Sequence, residues 1–327
     1  MSSSSLSALL GGSIQPGGLT EYGLAPAPQV FPHQWIAVRP RFTQFNSELA
    51  LTPLQQTDGV TKSGGVVACL NRHYYGSDSR IDHSFFIGSW GKNTAVRPPR
   101  DVDRYFVLPV EVYHRFQSHA WNRQSALLQE VKGVISETYP NTDMSGDGQI
   151  VLVRFESYSV EVVPTFLLTN GSYWICDTNN GGSYKETNPW AEVNYIDTVD
   201  QATNHNLRPL IRMTKAWQEH CSVPLKSFQL ELIAAEFLAQ SPWRIYDFFW
   251  FDWISRDFFQ YLYWKANKSI TVPGSPEVIC LGDDWQSRAL SAYWRAVKAC
   301  GYEWDNQIAG AGDEWQKIFG QQIPRTV

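Results

Sequence analysis

The chain has 327 residues, enough for two domains or one large two-lobed one. Apolar residues make up 43% and charged residues 18%, a balance that supports a sizeable core and excludes wholesale disorder. The formal charge of −5 excludes a broad basic face for duplex nucleic acid, while leaving room for a local basic pocket that takes phosphates.

Residues 1–40 are rich in Ser, Gly and Pro, as in SIQPGGLTEYGLAPAPQ, and are expected to form a flexible extension. From Phe42 the apolar spacing turns helical, with a break expected near Ser63–Gly65. HSFFIGS suits a buried strand and its turn at Gly88-Ser89, and Lys92 and Thr94 fall in the turn or short helix that follows. DVDRYFVLP is predicted as a strand stopped by Pro109, and residues 111–138 as one long helix ended near Tyr139-Pro140. TDMSGDGQ is expected to be a loop. IVLVRF and YSVEVVP are β-branched runs spaced for a hairpin, and DTNNGGSYK, Asp177 to Lys185, is another loop. After about residue 204 the pattern is helical, in NLRPLIRMTKAWQEHC, SFQLELIAAEFLAQ, YDFFWFDWISRDFFQYLYWKAN and DWQSRALSAYWRAVKAC, with Asp284 expected to cap the last. The layout is α+β: an extension over 1–40, a mixed-sheet domain over 41–203 and a helical lobe over 204–327.

Asp101 and Asp103 alternate on a predicted strand, so their side chains share one face, roughly 7 Å apart at the backbone. A lone Asp-x-Asp is commonly just a solvated strand face. Three neighbours point elsewhere. The preceding strand ends in Gly88-Ser89, where backbone N–H groups can approach an anion and a hydroxyl adds a donor. The apolar YFVLP places the acids at the edge of a buried strand. A later strand sets one acid among valines, Val160-Glu161-Val162-Val163-Pro164, where a charge needs a partner or a metal. If the two strands are neighbours, Asp101, Asp103 and Glu161 converge. With no obvious Lys or Arg between them, they suit hard divalent cations such as Mg²⁺. Two such ions about 4 Å apart serve in-line nucleotidyl transfer. Glu156 is a rival third acid, but it lies outside the Val-Val-Pro context.

Ile87-Gly88-Ser89, Thr94, Asp101-Val102-Asp103, Leu108-Pro109 and Val160–Pro164 together resemble the signature of the bacterial CD-NTases, cGAS/DncV-like nucleotidyltransferases related to oligoadenylate synthases. The resemblance spans roughly residues 42–300 and implies a bilobal polymerase-β-like fold with the active site between the lobes. It implies that Gly88 and Ser89 bind triphosphate, and that Asp101, Asp103 and Glu161 hold Mg²⁺, with Mn²⁺ as a substitute. Asp is frequent where Glu161 stands. Arg212–Trp217 and Lys226–Glu231 resemble the family's Lys-containing helix and Ser-aromatic helix start, which carries phosphate contacts over to Lys215 and Ser227 and base stacking to Phe228. The residues themselves leave other readings open: a solvated helix face for Lys215, an N-cap for Ser227, core for Phe228.

The implied reaction joins NTPs into a cyclic di- or trinucleotide with release of pyrophosphate. The product is an antiphage second messenger sensed by a separate effector. The alternatives are a nucleotidyltransferase acting on RNA or a small acceptor, and an inactive nucleotide sensor. GSWGKNT is no phosphate loop of the G-x-x-x-x-G-K-[ST] type, since Phe86 and Asn93 break the pattern. The DMSGDG run lacks the calcium-loop glutamate, since Arg154 stands at position twelve. Five scattered Cys without C-x-x-C, set beside His205 and His220, fit neither a disulfide framework nor zinc and suggest a reducing cytosol, which the resemblance implies is the bacterial cytoplasm. No membrane span, no signal peptide and no strong nucleic-acid binding are expected, and the aromatic run FFWFDWISRDFFQYLYW is expected to be a core or subunit-contact helix.

Overall fold

The computed structural model describes residues 35–327. Residues 1–34, which hold most of the expected flexible extension, lie outside the described residues. The chain is α+β and divides into two compact units, one of Leu49–Val199 with Ile270–Ile279, the other of residues up to Glu48, Asp200–Ser269 and Cys280–Val327. Helix α1 spans Val38–Leu49, and α2, Pro53–Tyr75, opens the sheet unit.

Helix α2 starts on a reciprocal cap. The Thr52 hydroxyl accepts from Gln55 N at 3.2 Å, and the Gln55 side chain accepts from Thr52 N at 2.9 Å. The break expected near Ser63–Gly65 is absent: the helix runs through it. Those glycines serve close packing, since a Cβ on Gly65 would lie 2.5 Å from the Tyr139 hydroxyl. Strand β1 (Ser84–Phe86) leads into α3, a four-residue turn at Gly88–Gly91, and then β2 (Asp101–Val107).

The helix expected over 111–138 is two, α4 (Val110–Gln117) and α5 (Arg123–Thr138). The break falls where Asn122 caps α5, its side chain accepting from Ser125 N at 2.9 Å. The TDMSGDGQ loop is instead strand β3 (Asp143–Asp147), in a tight hairpin with β4 (Ile150–Arg154). Gly148 supplies the φ of +63° that a two-residue turn needs. Strand β5 covers Ser159–Leu167, and β6 (Tyr173–Asp177) and β7 (Ser183–Thr187) shorten the second expected loop.

Central β5 pairs parallel with β2 along its length, and antiparallel on its other side with β4 first and β6 later. The strand does not stop at Pro164. Ser159 N bonds Arg100 O and Thr165 O accepts from Leu108 N, so the odd-numbered residues of β5 direct their backbone polar groups towards β2. Pro164 therefore turns its nitrogen to the other side. There the β4 register ends at Val162 and the β6 register begins at Thr165, so the missing N–H forfeits no ladder bond. One sheet face carries Phe106, Val160 and Val162 into a core shared with α2 and α5, and Val102 on the same face is fully buried. The opposite face carries Asp101, Asp103 and Glu161, then a smaller apolar cluster around Tyr105, Val163, Tyr173 and Ile175.

The helical unit follows α6 (Pro189–Ala202): α7 (Leu207–His220), α8 (Ser227–Gln240), α9 (Phe251–Tyr263), α10 (Gln286–Trp304) and α11 (Ile308–Phe319). The small hairpin β8 (Ser269–Thr271) and β9 (Val278–Cys280) lies between α9 and α10. Asp284 does not cap α10, because Trp285 takes that position and ties its indole to Leu281 O at 2.9 Å. The aromatic run is a core helix: α9 is buried on nearly every residue, and its Asp257 pairs with Arg256 at 2.7 Å and accepts from the Trp243 indole at 2.6 Å.

Arg41 of α1 is fully buried. It donates to Glu303 at 2.8 Å, to Ile308 O at 2.8 Å, to Arg325 O at 2.9 Å and to Pro324 O. It closes the end of the unit by tying the last helices and the C-terminal tail to α1. Replacing Arg41 by Met strands the buried Glu303 carboxylate and should cost about 3–5 kcal/mol, read as a lower urea midpoint.

Candidate active site

Three acids meet on the sheet's open face. The parallel register sets Asp103 directly opposite Glu161, and Asp101 lies two residues back on the same face. One carboxylate oxygen from each of Asp101, Asp103 and Glu161 lies within 4.8 Å of the others. The convergence expected from the sequence is therefore present. Glu156, the rival acid, is exposed in the turn between β4 and β5.

Like charges this close in a buried setting cannot all ionise without a counter-charge. Burial pushes the Asp103 carboxyl up to about 8, and the charges of Asp101 and Glu161 add to the effect. Burial also raises Glu161, helped by Asp101, while its hydrogen bond with Asp103 pulls it back. The buried Lys92 ammonium, from the turn that follows Gly88-Ser89, draws Asp103 down.

Gly88 has a φ of +56°, and a Cβ there would lie 2.0 Å from Asp103 Oδ2. The α3 turn thus presses its backbone against the acid, which only glycine permits. Ile87 N donates to Asp103 O at 3.1 Å, and Thr94 N to Ser89 O at 2.8 Å, which fixes Ser89 at the turn. The Trp90 indole donates to Asp101 O at 2.8 Å and stacks on Phe86 at 5.5 Å. Lys92 caps α3, its amide donating to Gly88 O at 3.2 Å and its ammonium standing 3.8 Å from Glu192 of α6.

Lys215, Ser227 and Phe228 stand in the helical unit. Lys215 is no solvated face residue: it is buried in α7 and paired with Glu231 of α8 at 2.6 Å. Ser227 is not the N-cap but the first residue of α8, and its hydroxyl donates to Gln218 at 2.7 Å. Phe228 is half-buried. Reasoning from the sequence missed Trp90 and Glu192. Trp90 sits inside the quoted GSWGKNT, but Glu192 lies a hundred residues away with no pattern to mark it.

The donor set suits a hard divalent cation, since three converging carboxylates supply only oxygen ligands. Among the described residues no helix is long and apolar enough to cross a membrane.

Residues 36–200 match the Second Messenger Oligonucleotide or Dinucleotide Synthetase domain. A cyclic AMP-AMP-AMP synthase of Acinetobacter is 26% identical over 157 residues, and the match covers 47% of this chain and 45% of that protein, about half its length. CdnC of E. coli MS115-1, solved in complex with HORMA-deltaN, is 18% identical with a TM-score of 0.62, covering 88% of this chain and 98% of that one. Vibrio cholerae DncV, a cyclic AMP-GMP synthase solved with the linear intermediate pppA(3′,5′)pG, is 11% identical with a TM-score of 0.67, covering 88% and 97%. These likenesses establish the fold as that of the CdnC and DncV nucleotidyltransferases.

A carboxyl whose pKa rises on folding holds its proton more tightly in the folded state. The metal-free protein should then lose stability as pH climbs from about 4 towards about 8. Asp103→Asn should flatten that slope, and Mg²⁺ should raise the wild-type melting temperature more at pH 8 than at pH 5. Melting curves of both proteins, with and without Mg²⁺, check this. Equal Mg²⁺ shifts at the two pH values would contradict it.

Proposed function

The chain belongs to the Second Messenger Oligonucleotide or Dinucleotide Synthetase family, and on that premise we propose that it joins nucleoside triphosphates into a cyclic di- or trinucleotide with release of pyrophosphate. The observation that carries the reading is the meeting of Asp101, Asp103 and Glu161 within 4.8 Å, beside a glycine turn pressed against Asp103. The name of the Acinetobacter relative and the linear pppA(3′,5′)pG held by DncV support a product built from nucleotides.

Asp101, Asp103 and Glu161 would hold Mg²⁺, or Mn²⁺ in its place. When bound, the ions neutralise the triphosphate and ease deprotonation of the attacking ribose hydroxyl. The protein's own part is positioning. Gly88 keeps the chain close to Asp103, and Ser89 beside it would bind a triphosphate held at the carboxylates. Lys215 and Ser227 contact phosphates, and Phe228 offers a ring to a base. The product is an antiphage messenger made in the bacterial cytoplasm and read by a separate effector.

The test is incubation of purified protein with labelled NTPs and Mg²⁺. A phosphatase-resistant cyclic product with release of pyrophosphate is expected, and Asp103→Asn should reduce it by at least about a thousandfold while the protein stays folded. A tailed RNA, or nucleotide binding without turnover, would overturn the reading.

A further inference from the structure

We propose that Lys92 and Glu192 form a latch that positions the Gly88–Gly91 turn for the triphosphate, with Lys92 acting as a positioning residue rather than a phosphate ligand. The inference rests on the reading of this site as a nucleotidyl-transfer centre.

Lys92 is only 4% exposed, which is unusual for an ammonium unless its charge is answered. Its Nζ stands 3.8 Å from Glu192 Oε2, in the first turn of α6. Its own amide donates to Gly88 O at 3.2 Å, so the latch pulls on the residue that touches Asp103. A second contact joins the same two elements: a Cβ on Gly91 would lie 3.5 Å from Val193 Cγ2 and 2.7 Å from Phe86 O. The turn is thus seated between the end of β1 and the start of α6. It is only four residues long, so its internal bonds are few and its direction depends on what it leans against. Lys92 also places a positive charge behind Asp103. The latch thereby holds the glycine turn close to an acidic cluster that would repel an incoming triphosphate.

Lys92→Met and Glu192→Gln should each raise the KM for NTP by about ten- to a hundredfold, with a smaller fall in kcat. Lys92→Arg should restore most of the loss. The double variant should be no worse than Lys92→Met, because the two groups act as one. Calorimetric titration with a nonhydrolysable ATP and Mg²⁺ separates the possible failures. If the wild type binds no nucleotide, the functional reading fails. If the wild type binds and the folded variants bind equally well, the latch is overturned. A loss confined to kcat at unchanged affinity would also overturn it. If Lys92→Met does not fold, Glu192→Gln, which keeps the shape of a partly exposed side chain, carries the same test.

Discussion

The site depends on one register. Parallel pairing of β2 with β5 puts Asp103 across from Glu161, and a slip of β5 by one residue would turn Glu161 to the opposite, helix-covered face, away from the two aspartates. The register is held from behind, where Phe106, Val160 and Val162 pack into the core with α2 and α5. Hydrophobic burial on one face therefore fixes electrostatic repulsion on the other. The repulsion is kept in place by about the same seven-residue pairing that holds the sheet together. A fold that spends stability in this way needs a ligand of opposite charge to recover it.

The elements around the acids divide the work. Gly88 gives way so that backbone can lie against Asp103. Trp90 pins the turn to Asp101 O, and Lys92 secures its far end on Glu192. None of these three touches the reaction through a carboxylate, yet together they decide how close the turn's hydroxyl and amides come to the acids. Precision of this kind is what the proposed nucleotidyl transfer would ask of the protein, because that chemistry is mostly placement and charge neutralisation.

Much of this was legible in the sequence where burial leaves a pattern. The β-branched runs around Val102 and Val160 announced strands, and an acid among valines announced an uncompensated charge. What stayed hidden had physical causes. Asp143–Asp147 carries a single large apolar residue, Met144, among polar and glycine positions, so β3 gave almost no hydrophobic alternation to read. Its pairing comes from a hairpin turn and from β4. Glycines in α2 suggested a break, but tertiary contact at Gly65 overrides their low propensity. That β5 runs on past Pro164 depends on topology, not composition, because only the pairing decides which side of β5 lacks a neighbour there. Lys92 was visible as a turn residue, but its pairing with Glu192 is a long-range fact that no local spacing encodes.

The central claim is that the three carboxylates form a divalent-cation site, and counting bound Mn²⁺ by electron paramagnetic resonance with a nonhydrolysable nucleotide tests it most directly. The account predicts tight Mn²⁺ binding in the wild type, and loss of that signal in folded Glu161→Gln and Asp101→Asn. Unchanged Mn²⁺ stoichiometry and affinity in both variants would contradict it.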